Sequence, residues 1–208
     1  MVWTDTEDIY MQSKTTSTEL ILASGSRYRR QLLARLALEF RCVAADIDEN
    51  HRPGESAAQM AVRLAQLKAE AVAERHPDAI IIGSDQVATV DGRIVGKPLD
   101  RPAASSQLRS ASGQAMDFHT AVYIIPPPGR NCLAHLDTTA VFFRRLDAAM
   151  IENYLNREQA LDCAGSFKSE GLGIALVKEI KTRDPTALVG LPLIWLAQAL
   201  RSLGLAIP

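Results

Sequence analysis

Ala79-Ile80-Ile81-Ile82-Gly83-Ser84-Asp85-Gln86-Val87-Ala88-Thr89-Val90-Asp91-Gly92-Arg93-Ile94-Val95 is the stretch on which the fold turns. Its apolar run reads as a strand over Ala79–Val90, and Asp91-Gly92 signals a tight hairpin into Arg93–Val95. Gly83-Ser84-Asp85-Gln86 interrupts the chemistry of that strand. Just upstream, Ser56–Arg75 reads as a helix. Ser56 caps it, and Ala61, Leu64, Ala65 and Val72 line one face at helical spacing. Short apolar runs alternating with helical patterns in this way indicate an α/β fold.

The same alternation continues outward. Glu19–Ala23 reads as a strand ending at Ser24-Gly25-Ser26, where a helix begins with Leu32, Leu33 and Leu36 as its stripe. Phe40–Ala45 reads as a second strand entering the acidic turn Asp46-Ile47-Asp48-Glu49. Downstream, a helix is expected over Pro102–Ser112. Strands follow at Met116–Ile125 and Leu133–Arg145, separated by Pro126-Pro127-Pro128-Gly129. Asp147 caps a helix carrying Met150, Ile151, Tyr154 and Leu155. A glycine-rich loop over Ala164–Gly173 then precedes a last strand and a helix near Leu193–Leu203. Residues 1–18 read as a flexible extension, and 19–208 as a single α/β domain.

Composition sets the outer limits. A chain of 208 residues with 47% hydrophobic and 23% charged residues is an ordinary globular sequence, not a disordered chain, a collagen or a coiled-coil rod. With 5% aromatics, the core must be built from Leu, Ile, Val and Ala. The net charge of −1 gives no field for a long nucleic acid. The apolar stretch Ala187–Leu200 is broken by Gly190, Pro192 and Gln198 and falls short of the ~20 residues that cross a bilayer. Met1–Thr18 has no secretory h-region. Cys42, Cys132 and Cys163 form neither a CxxC pair nor an even set, which points to a reducing, cytoplasmic setting with each cysteine a small buried residue.

Several residues stand where chemistry would use them. Ser24-Gly25-Ser26-Arg27-Tyr28-Arg29-Arg30 lies at a strand-to-helix junction, where free N–H groups and the helix dipole favour an anion. Its spacing is not that of a Walker A loop. Arg29 falls on the apolar stripe with Leu32, Leu33 and Leu36. Lys68 lies in the middle of the apolar face of its helix and must snorkel or meet an anion. Lys97 follows the hairpin. Glu49 closes an acidic turn at a strand end, where open α/β sheets bind ligands, and Asp85 follows a Gly-Ser break in the apolar run Ala79–Ile82. Their oxygens suit Mg²⁺ or Mn²⁺, and no His/Cys cluster has zinc spacing. His51, His76, His119 and His135 are scattered and read as structural or exposed. No nucleophile elbow is present. Inward cations with separated carboxylates suggest metal-assisted phosphoanhydride chemistry.

In order along the chain, Leu22-Ala23-Ser24-Gly25-Ser26…Arg29-Arg30, Asp48-Glu49, Arg63…Lys68-Ala69, Gly83-Ser84-Asp85-Gln86-Val87 and Gly96-Lys97-Pro98 resemble the Maf family of nucleoside triphosphate pyrophosphatases. Cys163-Ala164-Gly165-Ser166-Phe167-Lys168-Ser169-Glu170-Gly171 and Leu188-Val189-Gly190-Leu191-Pro192 extend the resemblance to nearly the whole chain from Glu19 to Leu203. The loop ending in Glu170, with Gln86 after Asp85, is similar to the branch acting on 7-methyl-GTP rather than the dTTP/UTP branch. Arg27 departs from the family's common Pro, and Tyr28 from the branch's frequent Trp.

The resemblance implies an ITPase-like α/β fold, with a long curved mixed sheet and two lobes flanking a cleft, commonly as a homodimer. It implies release of pyrophosphate with a divalent metal, Mg²⁺ or Mn²⁺, held by Glu49 and Asp85. Asp85 would accept the proton, and Glu49 would partner metal or water. Lys68, Lys97 and Arg29 would neutralise the triphosphate, while Ser24 and Ser26 supply donors. Tyr28, Gln86 and Glu170 would set base specificity. The alternatives are a dTTP/UTP pyrophosphatase or a non-catalytic regulator of septum formation.

Overall fold

The computed structural model describes residues 18–208, so the expected extension over 1–18 falls, apart from Thr18, outside the described residues. Among the described residues seven strands are found, β1 Leu20–Ala23, β2 Arg41–Cys42, β3 Ile80–Val90, β4 Arg93–Val95, β5 Ala115–Ile125, β6 Leu133–Phe143 and β7 Val177–Lys181. Five α-helices accompany them, α1 Arg27–Ala34, α2 Ala57–Ala73, α3 Arg101–Ala111, α4 Ala148–Arg157 and α5 Leu193–Ser202. The strands form one mixed sheet in the order β2-β1-β3-β5-β6-β7, with β4 paired to β3 outside that path. Strands β2, β1 and β3 run parallel, and β5, β6 and β7 continue the sheet antiparallel. This is the expected α/β architecture.

Strand pleating sorts the core. Leu20, Leu22, Ile80 and Ile82 pack with Leu32, Leu33, Leu196 and Leu200 of α1 and α5. The alternate residues Ile21, Ala23 and Ile81 pack with Ala69 and Val72 of α2 on the other face. Further along β3, Ala88 and Val90 join a second core with Leu108 of α3, Tyr154 of α4 and Phe167. The long strands β3 and β5 thus connect two packed regions, and the candidate site lies where β1 stops and β3 continues.

Local signals explain most boundaries. Ser56 opens α2 with a capping box, its hydroxyl accepting from the Gln59 N–H while the Gln59 side chain accepts from the Ser56 N–H. Asp100 and Asp147 cap α3 and α4 in the same side-chain-to-N3 manner. Asp91 and Gly92 take φ of +49° and +71°, as a two-residue hairpin turn between β3 and β4 requires.

Two expectations are corrected. The strand expected over Phe40–Ala45 is only Arg41–Cys42. Its one strand neighbour among the described residues, β1, pairs with it only at Ile21 and Leu22. The cysteines are not buried. Cys42 and Cys132 are exposed and Cys163 is half-buried, because Cys42 lies on the edge strand and Cys132 in the connection between β5 and β6. By contrast, the strand expected over Ala79–Val90 is found as one element, and β3 pairs with β5 in unbroken register through Gly83-Ser84-Asp85-Gln86.

Candidate active site

Lys68, placed by spacing in the middle of an apolar face, is buried there between two carboxylates. Its Nζ lies 2.6 Å from Asp85 Oδ1 and 2.7 Å from Glu49 Oε1. Pleat alternation explains the partner. Asp85 shares its face of β3 with Ile81 and Gly83, the face that α2 covers. Gly83 permits the close approach, because a Cβ there would lie 2.1 Å from the Ala65 carbonyl oxygen. The two carboxylates differ in setting. The Asp85 side chain is 10% exposed, whereas that of Glu49, in the loop after β2, is 57% exposed. Burial works against the charge on Glu49, but its hydrogen bond to Lys68 and the charges of Lys68, Lys97 and Arg29 hold its carboxyl below the usual range.

The strand-to-helix junction forms the second part. Ser26 caps α1 and accepts from the Arg29 N–H. Ser24, buried at the end of β1, has its hydroxyl oxygen facing the Ser26 N–H at 3.1 Å and Arg29 Nη1 at 3.4 Å. Arg29 also donates through Nε to the Gly190 carbonyl at 3.0 Å. Burial pulls the guanidinium pKa down, and the charges of Asp85 and Glu49 oppose that shift. Lys97 is exposed after β4 and makes no ion pair among the described residues, although its charge is felt at Glu49. The structure therefore brings Ser24, Ser26, Arg29, Glu49, Lys68, Asp85 and Lys97 into one neighbourhood.

Tyr28 and Glu170 line a separate cavity of about 480 Å³ together with Arg27, Gln31, Arg35 and Lys168. Arg27 lies over the Tyr28 ring at 4.8 Å from its centroid and donates to its hydroxyl at 2.7 Å. Asp162 pairs with Arg27 at 3.2 Å, and burial pushes the Tyr28 phenol up to about 12. Gln86 is not part of this wall. Its Nε2 approaches Thr120 Oγ1 at 2.9 Å and the Ala187 and Leu188 carbonyls at 3.0 Å each, on the sheet face opposite Asp85. That amide anchors the turn carrying Val189, which does line the cavity.

Sequence reasoning overlooked several participants. Gln31 of α1 and Arg35 at its C-cap continue from Arg27 at i+4 and i+8, a spacing visible in the sequence that was not singled out. The Gly190 carbonyl, which also accepts from buried Ser84 at 3.1 Å, left no such signal. Lys168 is paired with Glu158 at 2.6 Å, and Glu158 Oε2 accepts from the Leu172 N–H. None of the four histidines joins the site. His135 stacks on Trp195, and His51 Nε2 contacts the Glu55 carbonyl.

The donor set has the oxygen chemistry of a divalent-cation site but not its ligand count. Among the described residues, no group of three or more His, Cys, Asp or Glu could hold a metal ion alone. Glu49 and Asp85 supply hard carboxylate oxygens of the type Mg²⁺ or Mn²⁺ takes; one oxygen of each is engaged by the Lys68 ammonium, which leaves each carboxylate a second oxygen for a cation shared with phosphate and water.

The 7-methyl-GTP pyrophosphatase of Xanthomonas axonopodis pv. citri is 55% identical over 189 residues, covering 91% of this chain and 98% of that protein. The 7-methyl-GTP pyrophosphatase of Pseudomonas aeruginosa is 48% identical over 190 residues, covering 91% and 99%. Among solved structures, the Ham1 protein of Staphylococcus aureus aligns with a TM-score of 0.45 at 16% identity, covering 62% of this chain and 73% of that one. No described helix is long and apolar enough to cross a membrane. The family model for Maf-like proteins matches residues 19–203, nearly all of the described chain, and the protein belongs to that family.

Proposed function

We propose that this chain is a nucleoside triphosphate pyrophosphatase and that 7-methyl-GTP is its substrate. Water attacks the α-phosphorus, pyrophosphate leaves, and the nucleoside monophosphate remains. The observation that carries the reading is the buried Lys68 held between Asp85 and Glu49. A lysine so placed offers a fixed cation to an incoming phosphate.

Asp85 orients the water and accepts its proton. Lys68, Arg29 and Lys97 neutralise the triphosphate, and the Ser24 and Ser26 hydroxyls donate to its oxygens. Glu49 and Asp85 would hold a Mg²⁺ or Mn²⁺ ion, whose contribution when bound is charge neutralisation on the phosphates. No covalent enzyme intermediate is required.

Glu170 accepts from the N1–H and exocyclic amine of guanine. Its charge and the Tyr28 ring favour the cation that N7 methylation creates. Gln86 contributes to base choice indirectly, by fixing the turn at 187–189. The names of the relatives at 48–55% identity support this substrate over dTTP or UTP. A homodimer and a cytoplasmic setting belong to the same proposal.

The test is a panel of 7-methyl-GTP, GTP, dTTP and UTP with Mg²⁺ or Mn²⁺, scored for pyrophosphate. Preferred turnover of 7-methyl-GTP supports the reading. Preference for dTTP and UTP assigns the other branch, and no turnover on any nucleotide favours a binding regulator of septum formation.

A further inference from the structure

Lys97 sits in a loop tied at both ends to a segment more than sixty residues away. The Leu99 N–H donates to the Leu161 carbonyl at 3.3 Å, and the Gly96 carbonyl accepts from the Gly165 N–H at 3.3 Å. Gln107 of α3 joins the same knot from below. Its Nε2 donates to the Gly96 carbonyl at 3.1 Å, and its Oε1 accepts from the Ser166 hydroxyl at 2.7 Å. One amide side chain therefore bridges the Lys97 loop and the loop leading to Glu170.

The second loop is held in an unusual shape. Gly165 and Ser166 take φ of +67° and +56°, a region that costs an L-residue such as serine. A Cβ at Gly165 would lie 2.4 Å from Met116 Sδ, so this segment is seated hard against the core. Tyr154 donates its hydroxyl to the Ser166 carbonyl at 3.1 Å and accepts from the Lys168 N–H at 3.2 Å, which leaves Glu170 two residues beyond an anchored point.

We propose that Gln107 is a positioning residue that locks the Lys97 loop and the Glu170 loop into one unit. The inference rests on the roles given above to Lys97 at the triphosphate and Glu170 at the base. Locking the loops fixes the separation between the cation that holds one end of the nucleotide and the carboxylate that reads the other. The bridge needs a donor and an acceptor at the tip of one side chain. Glutamine supplies both, whereas an ionised glutamate presents no donor to Gly96 and leucine presents neither group.

Two measurements test this, one without nucleotide. In the ligand-free protein, amide exchange at Gly165 and Leu99 should accelerate in Gln107→Leu and Gln107→Glu while amides of β3 and β5 keep their protection. Unchanged exchange at both loop amides overturns the lock. Should Gln107→Leu fail to fold, Ser166→Ala opens the same bridge from its other end.

In the active protein, Gln107→Leu should raise KM for 7-methyl-GTP more than it lowers kcat and narrow its preference over UTP. Combined with Lys97→Met, the loss should fall short of the product of the two single losses by at least about threefold, as expected for coupled neighbours. Multiplicative losses with unchanged preference overturn the positioning role. A wild-type protein that turns over no nucleotide defeats the proposed activity, while the exchange data still decide whether the lock exists.

Discussion

Gly83 and Ala65 meet where a Cβ on the glycine would lie 2.1 Å from the Ala65 carbonyl oxygen. This contact sets how closely α2 approaches β3, and so whether Lys68 can reach Asp85. Gly83→Ala should therefore push the helix outward and separate the pair. The expected cost is about 1–3 kcal/mol of stability or more, with a fall in kcat/KM larger than the loss of folded protein explains. Urea denaturation beside kinetics at a temperature where the variant is fully folded checks this. Wild-type stability would show that the backbone accommodates the methyl group.

Lys68→Met separates charge from packing. Methionine retains the apolar stem and suits a helix, but leaves Asp85 in its buried place without its cation. Turnover of the triphosphate should fall steeply. Stability at pH 7 should drop by up to about 3 kcal/mol, since breaking a buried pair strands its partner. Survival of kcat/KM would reduce Lys68 to a structural counter-ion.

Glu49 carries a pH signature of its own. Its folded pKa is lowered from the ordinary value of 4.5, so the stability it contributes is present above that value and lost as pH falls through the lower folded value. Wild type should exceed Glu49→Gln in thermal midpoint at pH 6. The two should converge below pH 4.5. A gap that is constant with pH would mean that the Glu49 charge is not stabilised by Lys68. With its side chain 57% exposed, the difference should be small.

Base recognition is testable through Glu170, Tyr28 and Arg27. Glu170→Gln should lose kcat/KM for 7-methyl-GTP much more than for UTP, and Tyr28→Ala should narrow the gap between 7-methyl-GTP and GTP. Arg27→Ala should do the opposite, widening that gap, because the guanidinium now over the Tyr28 ring competes with a cationic base. The cation–π contribution in question is roughly 0.5–2 kcal/mol. Equal losses on all nucleotides would mean that these side chains shape the cavity without reading the base.

Much of this was legible in the sequence, for identifiable reasons. The long helix α2 declared itself through Ser56 and the regular spacing of Ala61, Leu64, Ala65 and Val72, so Lys68 stood out as misplaced on its apolar face. Its meeting with Asp85 and Glu49 is a tertiary fact, yet a buried lysine demanded some anion. Strand β3 was read through Gly83, but the sequence shows only a missing side chain there and not the helix that fills its place. Strand β2 was overread because an apolar run does not reveal how short its one neighbour is. Gln86 was grouped by motif with Tyr28 and Glu170, but its amide is engaged by Thr120 and the 187–188 carbonyls and does not line their cavity. Gln107 carries no local signal, since both loops it bridges are remote in sequence.

The central claim is that Asp85, held by Lys68, activates water for attack on a nucleoside triphosphate. The most direct measurement is pyrophosphate release from 7-methyl-GTP by wild type and Asp85→Asn, at matched protein concentration with Mg²⁺ or Mn²⁺. Asparagine keeps the volume at the buried position and removes the base. The account predicts a kcat lower by about 10²–10⁴-fold with the fold intact by circular dichroism. Retention of more than about a third of wild-type kcat in the folded variant would contradict it, because even the low end of general-base catalysis is far larger.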